Sequence, residues 1–230
     1  MTDLGSRIRE IELKISKAAR RSGRTAEAVA LMAVTKTRSP VEIQDAWDAG
    51  IRLFGENRVQ EAALKIENWP RECVSEWRLI GHLQRNKARK ALALFSRIDS
   101  LDRLDLAQDL ERILAEKGGE IEALVEVNTS GEISKHGVSP EGLEKLMEDI
   151  LRTCPRVKLR GLMTVGPLEG GQASVAEAFC LLRGLRERMS GRLGLQMPDL
   201  SMGMSDDFEM AIEQGSTCVR LGRALFGPRE

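Results

Sequence analysis

Residues 30–42 read Ala30-Leu31-Met32-Ala33-Val34-Thr35-Lys36-Thr37-Arg38-Ser39-Pro40-Val41-Glu42. The segment from Ala30 to Thr35 is a short apolar run that suits a strand buried on both faces. It ends at Lys36. Ser39, Pro40 and Glu42 then supply an N-cap, a proline at the first helical position and the glutamate of a capping box. Strand, short loop and capped helix make one α/β unit, and the chain repeats it.

Upstream, Leu4, Ile8, Ile11, Ile15 and Ala18 recur at helical spacing, so residues 1–25 are expected to form a leading amphipathic helix packed on the barrel. Downstream, strands are expected at Ile51–Phe54, Trp77–Ile80, around Ile98, and at Ile121–Val127, Leu159–Met163, Leu200–Met202 and Thr217–Leu221. Helical patterns follow them: Asn57 caps the second helix, the third begins near Gln84, and another starts at Ser205-Asp206-Asp207. A further one carries Val175, Phe179, Leu182, Leu185 and Met189 on one face. Eight β/α units in 230 residues make a single-domain TIM (β/α)8 barrel spanning residues 1–230. A doubly wound open sheet is the competing topology. Gly166–Gly171 reads as a mobile loop.

Composition narrows the function. The 35 basic residues balance 35 acidic ones, which argues against a nucleic-acid or membrane-surface protein working through bulk charge. No apolar run approaches the roughly 18 residues of a membrane span, and the first residues lack a secretory h-region, so a cytoplasmic protein is expected. Cys73, Cys154, Cys180 and Cys218 are too sparse for a disulfide framework and show no zinc spacing. With two histidines a three-His metal site is excluded, and no metal site is expected. There is no tyrosine, so a mechanism needing a phenol from this chain is excluded.

In a TIM barrel the C-terminal strand ends face the active-site mouth. Those positions hold Lys36, Asn57, His82, Asn128, Met163, Ser201 with Ser205, and Arg220 with Gly222. Lys36 is either a lysine snorkelling from a strand end or a half-desolvated amine able to attack an aldehyde. Ser201-Met202-Gly203-Met204-Ser205 and Gly222-Arg223 lie where such barrels often bind phosphate, although Ser205 alone could be an ordinary N-cap. Arg85, Lys87, Arg89 and Lys90 read either as an RNA contact or as a solvated helix face; without interleaved aromatics the second is favoured. His82 is either a general base or a hydrogen-bonded structural group.

Six stretches stand in order between residues 30 and 227: Ala33-Val34-Thr35-Lys36-Thr37, Gly55-Glu56-Asn57-Arg58-Val59-Gln60-Glu61, Ile80-Gly81-His82-Leu83-Gln84-Arg85-Asn86-Lys87, Arg160-Gly161-Leu162-Met163-Thr164, Ser201-Met202-Gly203-Met204-Ser205-Asp206-Asp207, and Val219-Arg220-Leu221-Gly222-Arg223-Ala224-Leu225-Phe226-Gly227. Together they resemble the signatures of the pyridoxal phosphate homeostasis proteins, with His82 where that family usually has proline. The resemblance implies a barrel similar to the N-terminal domain of alanine racemase. It implies that Lys36 holds pyridoxal 5′-phosphate as an internal aldimine. Ser201, Ser205 and the amides of Gly222 and Arg223 would hold the phosphate, Asn57 would lie near the ring and Arg220 beside the pyridine nitrogen.

The implied role is to bind the cofactor and buffer or deliver it in vitamin B6 and amino-acid homeostasis, without substantial turnover. Apo-enzymes that use pyridoxal phosphate would be the partners, and a monomer is expected. Two features give the role a physical basis. A cationic Arg220 disfavours pyridinium formation and weakens the ring as an electron sink. The tyrosine that alanine racemases use on the opposite face is missing. The alternative is an amino-acid racemase or decarboxylase using the same cofactor.

Overall fold

A computed structural model describes residues 4–132, 134–167 and 170–228; Leu168 and Glu169 of the expected Gly166–Gly171 loop lie outside the described residues. Helix α1 (Leu4–Arg21) precedes β1 (Ala30–Val34). Then follow α2 (Pro40–Asp48), β2 (Leu53–Glu56), α3 (Val59–Ile66), β3 (Glu76–Leu79), α4 (Ala88–Leu94) and β4 (Arg97–Leu101). The second half runs α5 (Leu104–Lys117), β5 (Ile121–Glu126), α6 (Leu143–Thr153), β6 (Val157–Met163) and α7 (Gly171–Leu193). It closes with β7 (Asp199–Ser201), α8 (Phe208–Glu213), β8 (Cys218–Leu221) and α9 (Arg223–Phe226).

The eight parallel strands close a barrel in chain order. Closure is decided at β1, where Ala33 pairs with Phe54 of β2 on one side and Leu221 of β8 on the other. An open sheet is thereby excluded. The capping box forms as the sequence implies: the Ser39 amide donates to Glu42 Oε2 at 2.7 Å, and Ser39 Oγ accepts from the Glu42 amide at 3.3 Å. It places the N-cap of α2 three residues after Lys36 and so keeps the first loop short.

Several boundaries move. Strand β2 begins two residues later than its apolar run, because Gly55 and Glu56 pair with Arg78 and Leu79 of β3 while Ile51 is held under α2 by its bond to the Ala46 carbonyl. Arg58, not Asn57, occupies the N-cap of α3. A 3-10 turn over Arg85–Lys87 delays α4 to Ala88. Asp207 rather than Ser205 precedes α8, its carboxylate accepting from the Met204 amide at 2.5 Å, so Ser205 belongs to the loop above it.

Between strands and helices the core is apolar, with Phe54, Phe179, Leu79, Ile98 and Leu162 fully buried. Inside the barrel Met32, Leu53, Cys218 and Ile80 pack together. Beside them Arg97 donates to Asp99 at 2.7 Å and to Asp199 at 2.8 Å. Burial and then the Asp99 charge push the Cys218 thiol up to about 11. Helix α1 lies against α8 and α9, with Arg21 bonded to Glu209 and Glu213. Among the described residues no helix is long and apolar enough to cross a membrane.

Gly161 decides how closely β6 and β7 approach, since a Cβ there would stand 1.9 Å from the Asp199 carbonyl oxygen. Gly161→Ala is therefore expected to lower stability by about 3 kcal/mol or more. By contrast, Gly184 in α7 has nothing within 4 Å of its would-be Cβ. Gly184→Ala should leave stability unchanged or raise it by up to about 1 kcal/mol. Urea unfolding of both variants measures the contrast.

Candidate functional site

Lys36 leaves the end of β1 half-buried, and both of its neighbours are tied down from below. The agent is Lys65 of α3, whose Nζ donates to the Thr35 carbonyl, to Glu56 Oε1 and to Glu61 Oε1, each at 2.7 Å. Thr35 Oγ1 also donates to Glu56 Oε1, at 2.6 Å, and the Thr37 amide donates to Glu61 Oε1 at 2.5 Å. Thr37 is the one non-glycine among the described residues with positive φ, 64°. A β-branched residue resists that conformation, and the Glu61 bond helps to hold it. Burial raises the Glu56 carboxyl, while Lys65 and Thr35 pull it down.

Across the mouth, β7 and β8 deliver the second half of the site. Arg220 is buried, donating from Nη1 to Ser201 Oγ at 2.7 Å and from Nη2 to the Thr164 carbonyl at 2.7 Å. Burial lowers its pKa, but a guanidinium stays charged at any physiological pH. Ser205 Oγ accepts from the Ala224 amide at 3.1 Å, joining the loop after β7 to α9. Arg223 pairs with Asp206 on the outer rim.

A cavity of about 340 Å³ opens between these halves, lined by Val34, Lys36, Arg38, Gly222, Arg223 and the Gly227-Pro228 segment. Three of the seven residues expected in the site thus share one cavity. Asn57 lines a neighbouring cavity of about 240 Å³ together with Gly81, His82, Glu126, Asn128 and His136. The third loop crosses close above Asn57, since a Cβ on Gly81 would stand 2.3 Å from the Asn57 carbonyl oxygen. Asn57 Oδ1 is buried and has no hydrogen-bond partner. Ser201 is fully buried and lines neither cavity; its hydroxyl faces Arg220.

The basic run after His82 forms a solvated, ion-paired face: Arg85 with Asp105 and Asp109, Arg89 with Glu116, Lys90 with Glu67. Sequence reasoning missed Lys65, Glu56 and Thr164 as organising groups. The spacing Glu61…Lys65 was a visible helical ion pair, but nothing local marked its contact with Thr35. Glu126, at the end of β5, was also missed; burial and then the nearby Asp102 charge push its carboxyl up to about 7.

Comparison with known proteins shows what this arrangement belongs to. The alanine racemase N-terminal domain family matches residues 10–230. A protein named pyridoxal phosphate homeostasis protein from Aquifex aeolicus (strain VF5) is 39% identical over 224 residues, covering 97% of each chain. The chain belongs to the pyridoxal phosphate homeostasis family. Among solved structures, an unknown protein from Bifidobacterium adolescentis superposes with a TM-score of 0.92 at 36% identity, covering 97% of this chain and 94% of the other. PipY of Synechococcus elongatus PCC7942, solved with pyridoxal phosphate bound, gives a TM-score of 0.79 at 34% identity, covering 93% of this chain and 100% of that one. Family membership and barrel topology therefore agree with the resemblance carried by the six sequence stretches.

Two predictions follow from the buried groups. Lys65→Met leaves Glu56 and Glu61 without their cation and should cost about 3–5 kcal/mol in chemical denaturation. Glu126 titrates near 7 in the folded chain against an ordinary value of 4.5. The folded state thus binds the proton more tightly, and stability should fall as pH rises from about 4.5 to about 7, by up to about 3 kcal/mol. Glu126→Gln should remove this fall, so that the variant melts above wild type at pH 8 by a margin that shrinks towards pH 5.

Proposed function

We propose that the chain binds pyridoxal 5′-phosphate between the β1 and β8 loops and holds it for supply to apo-enzymes that need it, with no substantial turnover of its own. The observation that carries this reading is the meeting of Lys36 with Gly222 and Arg223 around one cavity. The names of the homeostasis relatives and the cofactor bound in PipY support it. The residues fit such a group: the cavity falls within the size range of small-molecule sites, a lysine amine enters it, and Asn57 Oδ1 lies buried and unpartnered beside it.

When bound, the cofactor supplies an aldehyde that condenses reversibly with an amine. Lys36 would supply that amine, and the tethers on Thr35 and Thr37 fix where its side chain leaves the strand. Ser205 and the amides of Gly222 and Arg223 hold the phosphate, Ser201 contributes by fixing Arg220, and Asn57 orients the ring. Arg220 would lie beside the pyridine nitrogen and, as a buried cation, would oppose its protonation, weakening the ring as an electron sink. The chain also offers no tyrosine to carry a proton on the face opposite Lys36.

The reading carries a monomeric, cytoplasmic protein; the free thiols of Cys73, Cys154, Cys180 and Cys218 suit a reducing compartment. Wild type incubated with the cofactor should turn yellow, whereas Lys36→Ala should stay colourless with an unchanged circular dichroism spectrum. A wild type that takes up no colour overturns the assignment. Exchange of amino-acid Cα hydrogen in D₂O should not exceed that of free cofactor; a rate far above it would make the chain a racemase or decarboxylase instead.

A further inference from the structure

Three side chains at the mouth lie outside the roles assigned so far. His82 follows β3, Asp102 follows β4, and His136 stands in the loop between β5 and α6. They are far apart in sequence, yet one donor atom from each lies within 4.8 Å of the other two. His82 Nδ1 is 3.3 Å from Asp102 Oδ2, and the two imidazoles stack with centroids 4.2 Å apart at an interplanar angle of 18°.

We propose that His82, Asp102 and His136 form a binding site for a divalent transition-metal ion of the zinc, cobalt or nickel type. Two imidazole nitrogens and one carboxylate oxygen suit these borderline cations, whereas calcium and magnesium prefer all-oxygen shells. Bond lengths of about 2.0–2.1 Å around a tetrahedral ion place neighbouring donors about 3.4 Å apart. The His82–Asp102 edge already has that length. The donor of His136 needs to approach by up to about 1.4 Å. Its ring must also turn out of the stack on His82, since two near-parallel imidazoles cannot both aim an in-plane lone pair at one ion. Rotation of this exposed side chain supplies both.

The carboxylate is already oriented for the task. Arg103 Nη1 holds Asp102 Oδ1 at 2.5 Å and leaves Oδ2 turned to His82. This is the kind of outer partner that fixes a metal-binding carboxylate. Both histidines line the cavity of about 240 Å³ that also contains Asn57 and Glu126. A bound ion would therefore have its fourth position open to that cavity, as in zinc sites that keep a place for water or a small ligand. It would also fasten the third, fourth and fifth loops to one another.

The test uses chelator-washed protein titrated with Co²⁺ and, separately, with Zn²⁺ against a chromogenic chelator. One equivalent of Co²⁺ should produce the visible d–d bands of a low-symmetry four-coordinate site. His82→Ala and His136→Ala, both surface changes that should melt as wild type does, should each weaken Zn²⁺ binding by about 10-fold or more. Cys180→Ser, which removes the exposed thiol on α7, should bind as wild type. The site is overturned if one equivalent gives no bands, if both histidine variants bind as wild type does, or if Cys180→Ser abolishes binding.

Discussion

The Lys65 ammonium is the contact on which the arrangement of the site depends. It joins the end of β1, the end of β2 and the first turns of α3 through three acceptors at 2.7 Å. A buried charge is costly unless its hydrogen bonds are filled by partners of opposite sign. Here two carboxylates and a carbonyl fill them. The same contact explains why β2 runs on through Gly55-Glu56, past its apolar stretch: Glu56 is neutralised where it becomes buried. It also lets Thr37 keep a positive φ, a strain that persists only where surrounding structure over-determines it.

The opposite side of the mouth is organised by a second buried cation with different partners. Arg220 donates to a hydroxyl and a carbonyl, both neutral acceptors, while the carboxylates of Asp99, Glu126 and Asp207 act on it through space. The lysine is therefore paired directly with carboxylates, whereas the arginine meets its acidic neighbours only through space.

Much of this was legible in the sequence because it is local. The apolar runs gave all eight strands, and Ser39-Pro40-Val41-Glu42 gave the start of α2 to the residue. Boundaries set by tertiary contacts were not legible. Asn57 has the chemistry of a cap, yet the close crossing of Gly81 claims its backbone and Arg58 takes the position. The fold class followed from repetition, and Lys36, Gly222 and Arg223 followed from strand-end logic. Ser201 also stands at a strand end, but its hydroxyl is buried against Arg220 and lines neither cavity. The cluster of His82, Asp102 and His136 is invisible to spacing, since three separate loops bring it together.

The cavity beside Lys36 is a seam. Its walls come from the first strand's loop and from the segment after the last strand, and Arg38 fastens them by donating to the Gly227 carbonyl at 2.7 Å and lying 5.3 Å from the Phe226 ring centroid. The pairing of β1 with β8 that creates it has the largest sequence separation of any in the barrel. Contacts of that span form only after a large loop-closure cost has been met. A chain still emerging from the ribosome therefore lacks the pocket until β8 has been made and has reached β1. Whatever binds there selects the closed barrel over every partly assembled form, and stabilises it by an amount that grows with the logarithm of its concentration once that exceeds the dissociation constant.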